Sequence, residues 1–321
     1  MNNNLVEHDE LHMLKTINDY VRWGASQFNL ANLHYGHGTD NALDEALALV
    51  LHNLHLSHDI PEHMLYSRLT MSERRSIMAL LKQRIECQIP AAYLIKQSYF
   101  AGISFYVDER VLIPRSPLAE TIEQHWEPWL VNVKEPHILD LCCGSGCIAI
   151  ATALYCTEAQ VDAVDISDEA LAVAEINVKR HGLDQRVHLV KSDLFEALPR
   201  KEYDLIVSNP PYVPQAEYAQ LPKEFSYEPK IALLAKQKGL AIVYRILLQA
   251  ADYLTDEGTL IVEVGNSEAT LSHELPDLPL LWLDFERGGK GVFAINKHNL
   301  LRHRKTLQEK LRATPSNKIT K

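Results

Sequence analysis

Cysteine is scarce, and the little there is does not pair. Cys87, Cys142, Cys143, Cys147 and Cys156 are an odd number in 321 residues and make no Cys-x-x-Cys step, which fits reduced thiols and excludes a disulfide frame or a cysteine zinc site. No metal is expected. A long apolar run is also lacking: the richest stretch, Ile138 to Tyr155, is broken by Asp140, Gly144 and Gly146, so it reads as a buried strand and helix, not as a membrane span. Residues 1–10 are polar and acidic, without the basic and apolar regions of an export signal, and a cytoplasmic protein is expected. Positive charge is in deficit too. With 32 Lys and Arg against 42 Asp and Glu, the net charge of -10 argues against an enzyme that grips long DNA over its whole surface, though a local basic patch is still allowed. What is present, 46% hydrophobic and 23% charged residues, suits a soluble globular chain long enough for two domains.

Residues 1–89 read as helices. Leu11, Leu14, Ile17 and Val21 keep helical spacing, as do Leu43, Leu47, Val50, Leu51 and Leu54. Thr70-Met71-Ser72-Glu73 is a capping box, followed by the stripe Ile77, Leu80, Leu81 and Ile85. Over residues 90–117 the helical period gives way to alternation, with Tyr99, Phe100, Ile103, Phe105, Val107 and Val111, which predicts a β-hairpin linker. Across 118–296, apolar runs at 137–142, 160–165, 186–190, 203–208 and 258–264 alternate with helical stretches. That order predicts an α/β domain with a doubly wound, mostly parallel sheet.

The run His137 to Leu141 leads into Cys142-Cys-Gly-Ser-Gly146 and then into an apolar helix, Cys147 to Tyr155. Glycines in such a turn remove the Cβ that would collide with a ligand, so a nucleotide-type ligand is implied. Asp165 ends the next strand, 19 residues after Gly146, where a carboxylate can take both hydroxyls of a ribose. Ser192-Asp193-Leu194 follows the third strand, with an acid suited to the exocyclic amine of adenine. A tight turn and two helix caps are the structural alternative, and a nicotinamide dinucleotide is the alternative ligand, with Ala149 where its third glycine would stand.

The fourth strand, Tyr203 to Ser208, runs into Asn209-Pro210-Pro211-Tyr212. Two prolines fix the backbone and remove two donors, leaving the Asn209 side-chain oxygen and the Pro210 carbonyl as a rigid pair of acceptors suited to an NH2 group. An amide nitrogen is a weak nucleophile because its lone pair is delocalised. Binding both of its hydrogens favours a more tetrahedral nitrogen aimed at an electrophilic methyl. Tyr212 is placed to stack on the planar amide.

This order of motifs resembles the class I methyltransferases, and Asn-Pro-Pro-Tyr is similar to the signature shared by adenine-amino DNA methyltransferases and protein glutamine methyltransferases. A helical domain and a hairpin ahead of the catalytic domain favour the glutamine enzymes. The likeness spans roughly residues 70 to 296, through Pro90-Ala-Ala-Tyr-Leu94, Val111-Leu-Ile-Pro-Arg115, Asn209 to Tyr212, Glu228-Pro229 and Val262-Glu-Val-Gly265. Within that family, His34 to Asn41, Pro114-Arg-Ser-Pro117 and Cys143-Gly-Ser-Gly-Cys147 resemble the branch acting on large-subunit ribosomal protein three. The release-factor branch more often has Pro-Arg-Pro with a following Thr-Glu pair, where this chain has Ala119-Glu120.

The resemblance implies a Rossmann-like, mostly parallel seven-stranded sheet and S-adenosylmethionine as cofactor. It implies cofactor contacts from Asp140, Cys142, Cys143, Gly144, Ser145, Gly146, Asp165, Asp193, Leu194 and Asn209, with Cys142 standing where the family has a glycine. The substrate amide is implied at Asn209, Pro210, Pro211 and Tyr212, and substrate recognition in residues 1–89. An adenine-amino nucleic-acid methyltransferase and a cofactor-binding ribosome assembly factor are the other functions considered.

Two weaker features remain. His34-x-x-His37-x-x-Asp40 has a spacing open to a metal but no evident fourth ligand, so a hydrogen-bonded loop is expected there. Residues 297–321 carry eight Lys or Arg and only Glu309 as an acid, which leaves -17 on the rest of the chain. A solvated tail, partly disordered, is expected, with contact to ribosomal RNA as its sharper reading.

Overall fold

Thr16 decides where the first long helix begins. In the computed structural model, which describes residues 10–312, its side chain accepts from the Asp19 amide while Asp19 caps the Thr16 amide, so α1 runs Ile17–Leu30. Leu11 and Leu14, read as part of the same helix, precede that cap; Leu11 lies in a short turn at residues 10–13.

The chain divides into two compact units, Met1–Ser98 with Pro222–Tyr227, and Tyr99–Leu221 with Glu228–Lys321. The division at Ser98 falls within the segment read as a linker, and the return of Pro222–Tyr227 to the first unit has no counterpart in the sequence reading.

In the first unit, α2 (Ala42–Asn53) and α3 (Met71–Cys87) pack on α1, with α4 (Ala91–Ile95) after them. The Thr70 capping box forms as read, the Thr70 amide donating to Glu73 Oε2 at 2.7 Å. Tyr20, Phe28, Leu49, Ile77 and Leu81 fill the core. Arg84 is wholly buried, which requires partners. It donates to Glu45 at 2.7 Å, to Glu224 at 3.3 Å and to the His34 carbonyl at 3.0 Å. The His34 amide returns a bond to Glu224 at 2.8 Å. The His34–His37 loop is thus tied down by an ion-pair network, and both rings lie against Phe225, at 5.4 Å and 4.6 Å.

The hairpin is smaller than the alternation implied: β1 (Ser98–Phe100) and β2 (Ile103–Phe105) join through Ala101 and Gly102, both at positive φ as a two-residue turn of type I′ needs. Beyond Phe105 the apolar residues Val107, Val111 and Ile113 are buried in irregular chain.

The second unit is built on seven strands in the order β5-β4-β3-β6-β7-β9-β8. β3 (His137–Leu141), β4 (Gln160–Asp165), β5 (Val187–Lys191), β6 (Tyr203–Ser208) and β7 (Leu254–Glu263) are parallel; β9 (Val292–Asn296) runs antiparallel to β7, and β8 (Leu281–Trp282) antiparallel to β9. β3 and β4 leave the middle of the sheet toward one edge and β6 resumes on the other side of β3, so the loops after β3 and β6 emerge at a topological switch point. Open α/β sheets bind ligands there. Apolar clusters cover the sheet, one with Leu139, Ile206, Leu260 and Phe293, another with Ile138, Val161, Leu205 and Ile261. Alternate residues of each parallel strand fall to opposite clusters, as burial on both faces demands.

The remaining helices are α5 (Leu118–Glu123), α6 (Cys147–Tyr155), α7 (Asp168–Arg180), α8 (Gln215–Tyr218), α9 (Lys230–Leu233), α10 (Ala241–Gln249), α11 (Glu268–Glu274), α12 (Lys297–Arg302) and α13 (Arg304–Arg312). The last two are a correction to the basic tail. As far as Arg312 it is helical, with Leu300 and Leu307 buried in the sheet's core cluster. The sequence count of charge hid that apolar stripe. Residues 313–321, with Lys318 and Lys321, lie outside the described residues. Among the described residues no helix is long and apolar enough to cross a membrane.

Candidate active site

The turn after β3 takes Cys142, Gly144 and Gly146 through positive φ. At Gly146 an added Cβ would also stand 3.3 Å from the Ala174 Cβ on α7, so glycine serves both the turn and close helix packing. At Gly144 a Cβ would meet nothing within 4 Å, which leaves that side of the turn open to a ligand. Cys142 adopts φ 62 without glycine's freedom, a strained position for a side chain. Its thiol is pushed up by burial and by Asp165 and Asp140, so it stays protonated and unreactive. All five cysteines are free thiols.

Three groups hold this turn. The Cys143 amide donates to the Val164 carbonyl at 2.9 Å, the Gly144 amide to Asp165 Oδ2 at 2.9 Å, and the Asn177 side-chain amide to the Ser145 carbonyl at 2.9 Å. Asn177, fully buried on α7, also takes the Tyr106 amide at 2.7 Å and returns a bond to its carbonyl at 3.0 Å. Nothing in the sequence singled it out, because an Asn inside a helix carries no motif.

Asp165 is half-buried, and its second oxygen accepts from the Ser167 amide at 2.9 Å. Burial raises its carboxyl and the amides of Ser167, Gly144 and Ile166 oppose that shift. Asp140 is different. It lies wholly buried beneath the turn, where Oδ2 accepts from the Ala149 amide at 3.1 Å and supplies the side-chain cap that Gly146 cannot give α6. Burial pushes its carboxyl well up, with the Ala149 bond opposing and Asp165 reinforcing. Its other oxygen, Oδ1, is buried without a hydrogen-bond partner among the described residues. Asp193 follows β5 and pairs with Arg245 of α10 at 2.8 Å, and Arg245 reaches Glu196 with its other nitrogen. Leu194 is buried at φ 54.

Asn209 follows β6, whose Ser208 sits opposite Leu141 of β3. This register brings the Asn209 loop and the Cys142 turn out of adjacent strands. Among the described residues, neither the Asn209 side chain nor the Pro210 carbonyl takes a hydrogen bond from the protein. Both acceptors remain for a ligand. Val213 locks the far end of the loop, its amide donating to the Leu233 carbonyl and its carbonyl accepting from Ala235.

Tyr212, read as a stacking surface, is anchored by its hydroxyl and its ring. Its hydroxyl donates to Glu263 Oε1 at 2.9 Å, and its ring lies on Gly265, where a Cβ would come within 2.6 Å of Cε2. Ser116 donates to the other Glu263 oxygen at 2.5 Å. Arg115 grips the buried Glu228 with two nitrogens, at 2.5 Å and 2.6 Å, and the Ile113 amide adds a third bond at 3.0 Å. The segments 111–115, 228–229 and 262–265, quoted above only as likenesses, thus meet around Tyr212.

These residues fit a nucleoside-type methyl donor: an open glycine turn, a carboxylate at the next strand end, and an unengaged pair of acceptors beside them. Sheet order and loop together define a class I methyltransferase domain, and residues 118–228 match the methyltransferase small domain family. Two curated relatives, both named ribosomal protein uL3 glutamine methyltransferase, match nearly the whole chain. The one from Xanthomonas campestris pv. campestris is 48% identical over 94% of this chain and 96% of its own. The one from Francisella tularensis subsp. tularensis is 44% identical over 93% and 95%. The chain belongs to the ribosomal protein uL3 glutamine methyltransferase family.

Proposed function

We propose that this enzyme transfers the methyl group of S-adenosylmethionine to the side-chain amide nitrogen of a glutamine in ribosomal protein uL3, in the cytoplasm. The observation that carries the reading is the pair of acceptors, the Asn209 side chain and the Pro210 carbonyl, left without protein partners at the switch point of the sheet in a chain so similar to the two curated relatives. S-adenosylmethionine, when bound, supplies an electrophilic methyl on a sulfonium leaving group. Asp165 and the Cys142–Gly146 turn would hold its nucleoside part, and Asp193 and Leu194 the adenine. Asn209 and Pro210 would each take one hydrogen of the glutamine NH2, turning the nitrogen lone pair toward the methyl and out of conjugation. No strong base is required before transfer, since the nitrogen becomes acidic once alkylated.

Contact of the tail with ribosomal RNA would fall to Arg302, Lys305 and Arg312. Lys297 pairs with Asp256, Arg304 with Asp252 and Lys310 with Glu274, whereas those three pair with no acid among the described residues. The test of the main reading is methyl incorporation into purified uL3 from labelled S-adenosylmethionine. Label on a glutamine amide supports it, and label on a nucleobase or a lysine contradicts it.

A further inference from the structure

Tyr212 is held at three points by groups outside its own loop. Its hydroxyl donates to Glu263, its carbonyl accepts from Ser267 Oγ at 3.2 Å, and its ring rests on Gly265. Glu263 is itself buried, at 3% exposure, with Ser116 on its second oxygen. The register of the sheet explains the meeting. Ser208 of β6 pairs with Val262 of β7, so the next residues are Asn209, where the chain leaves β6, and Glu263, the last residue of β7, still paired with Val292 of β9.

Between Asn209 and Tyr212 stand only Pro210 and Pro211, which have little backbone freedom. A shift at Tyr212 is therefore passed to Asn209 and to the Pro210 carbonyl. Misplacing a reacting group by about 1 Å can cost on the order of a hundredfold in rate.

We propose that Glu263 is a positioning residue for methyl transfer: as a carboxylate accepting from both Tyr212 and Ser116, it fixes, through Tyr212, the acceptor pair that orients the substrate amide. The proposal rests on the amide-methylation reading given above.

Two hydroxyl donors aimed at two oxygens suit the anion. Burial nevertheless pushes the Glu263 carboxyl up to about 7, against the opposing effects of Ser116, Tyr212 and Arg115. The charged and titratable groups facing it are Arg115, from the segment before α5 and itself paired with Glu228, and Tyr212, whose hydroxyl burial keeps protonated far above this range. Protonating Glu263 puts a hydrogen on an oxygen that a hydroxyl already addresses, so one donor must turn away. Methyl transfer is then lost as pH falls through about 7 and regained above it.

The experiment measures kcat on uL3 at saturating S-adenosylmethionine from about pH 5 to about pH 9 for wild type, Glu263→Gln, Tyr212→Phe and their combination. Wild type should show an acid limb near neutrality. Glu263→Gln should lose about tenfold in kcat above neutrality and lack that limb, and Tyr212→Phe should lose a similar factor that the double variant does not multiply. Cofactor affinity should stay within about twofold of wild type, which separates positioning from binding. An acid limb that persists in Glu263→Gln, or wild-type kcat in both single variants, would overturn the proposal. Label on a glutamine amide in the wild type keeps the underlying reading whatever these variants do, and its absence removes that reading first. Glu263→Ala is avoided because the cavity risks the fold; the two near-isosteric variants carry the test.

Discussion

The Gly144 amide donates to Asp165 Oδ2 at 2.9 Å, so the acid at the end of β4 braces the glycine turn at the end of β3. Its other oxygen takes the Ser167 amide at the start of α7. One carboxylate thus braces the turn and stays half-exposed, and the proposed function has it also take the hydroxyls of a ribose. Asp165→Ala removes both roles and should weaken S-adenosylmethionine binding by about 1.5–3 kcal/mol, roughly 10–150-fold. Asp165→Asn keeps one acceptor and should lose less. Titration calorimetry decides, and unchanged affinity in Asp165→Ala would contradict the assignment of the cofactor turn.

Arg115 and Glu228 give a prediction about stability. Glu228 is buried and its carboxylate takes two guanidinium bonds and one amide bond. Arg115→Ala removes both guanidinium bonds from that buried charge, which should cost about 3–5 kcal/mol, toward the lower end because Arg115 retains 26% exposure. Arg115→Lys restores the charge but not the fork and should recover only part. Urea unfolding monitored by fluorescence measures both; a loss below about 1 kcal/mol for Arg115→Ala would mean that the pair is not structural.

Strand and turn were legible in the sequence because local chemistry writes them there. The runs ending at Leu141, Asp165 and Ser208 are apolar segments closed by a glycine turn, an acid and two prolines, and all three emerge as parallel strands with the expected residues at their ends. The Thr70 cap was legible for the same reason. What stayed hidden is non-local. Glu263 lies 51 residues from Tyr212, Arg245 lies 52 from Asp193, and Asn177 lies 32 from Ser145; no spacing rule links such positions. The helix-capping role of Asp140 stayed hidden as well, because an acid at a strand end reads alike whether it faces a ligand or caps the helix that follows.

The end of the chain yields a prediction opposed to its charge. Leu307 is buried in the sheet's core cluster, so Leu307→Ala should cost about 2–5 kcal/mol, and a cut after Asn296 should destabilise the methyltransferase unit as a whole. A melting temperature unchanged in Leu307→Ala would show that these helices are not part of the core. Replacing Arg302, Lys305 and Arg312 with alanine tests the other role: activity on isolated uL3 should persist while activity on an RNA-containing assembly intermediate drops. Equal activity of variant and wild type on both substrates would remove the RNA contact.

Glu263 also makes stability depend on pH. Its folded-state pKa of about 7 stands above that of an unfolded glutamate, so the stability it contributes is fully present at low pH and is lost as pH rises through about 7. Glu263→Gln has no such loss. Between about pH 5 and about pH 8, the difference in unfolding free energy should move in the variant's favour by about 3 kcal/mol. Parallel chemical denaturation of both proteins at several pH values measures it, and a difference independent of pH would mean that Glu263 is not held in a desolvated site.

The most direct measurement concerns Asn209. Its side chain and the Pro210 carbonyl take no hydrogen bond from the protein among the described residues, and removing one should misorient the amide and leave one of its hydrogens without an acceptor. Asn209→Ala is assayed for transfer of labelled methyl to uL3 at saturating S-adenosylmethionine, with mass spectrometry locating the label. A rate lower by a factor of about 10² to 10³, with cofactor affinity and melting temperature largely kept and the wild-type label on a glutamine amide, is the predicted result. Activity of Asn209→Ala within about threefold of wild type, or wild-type label on any group other than a glutamine amide, would contradict the account.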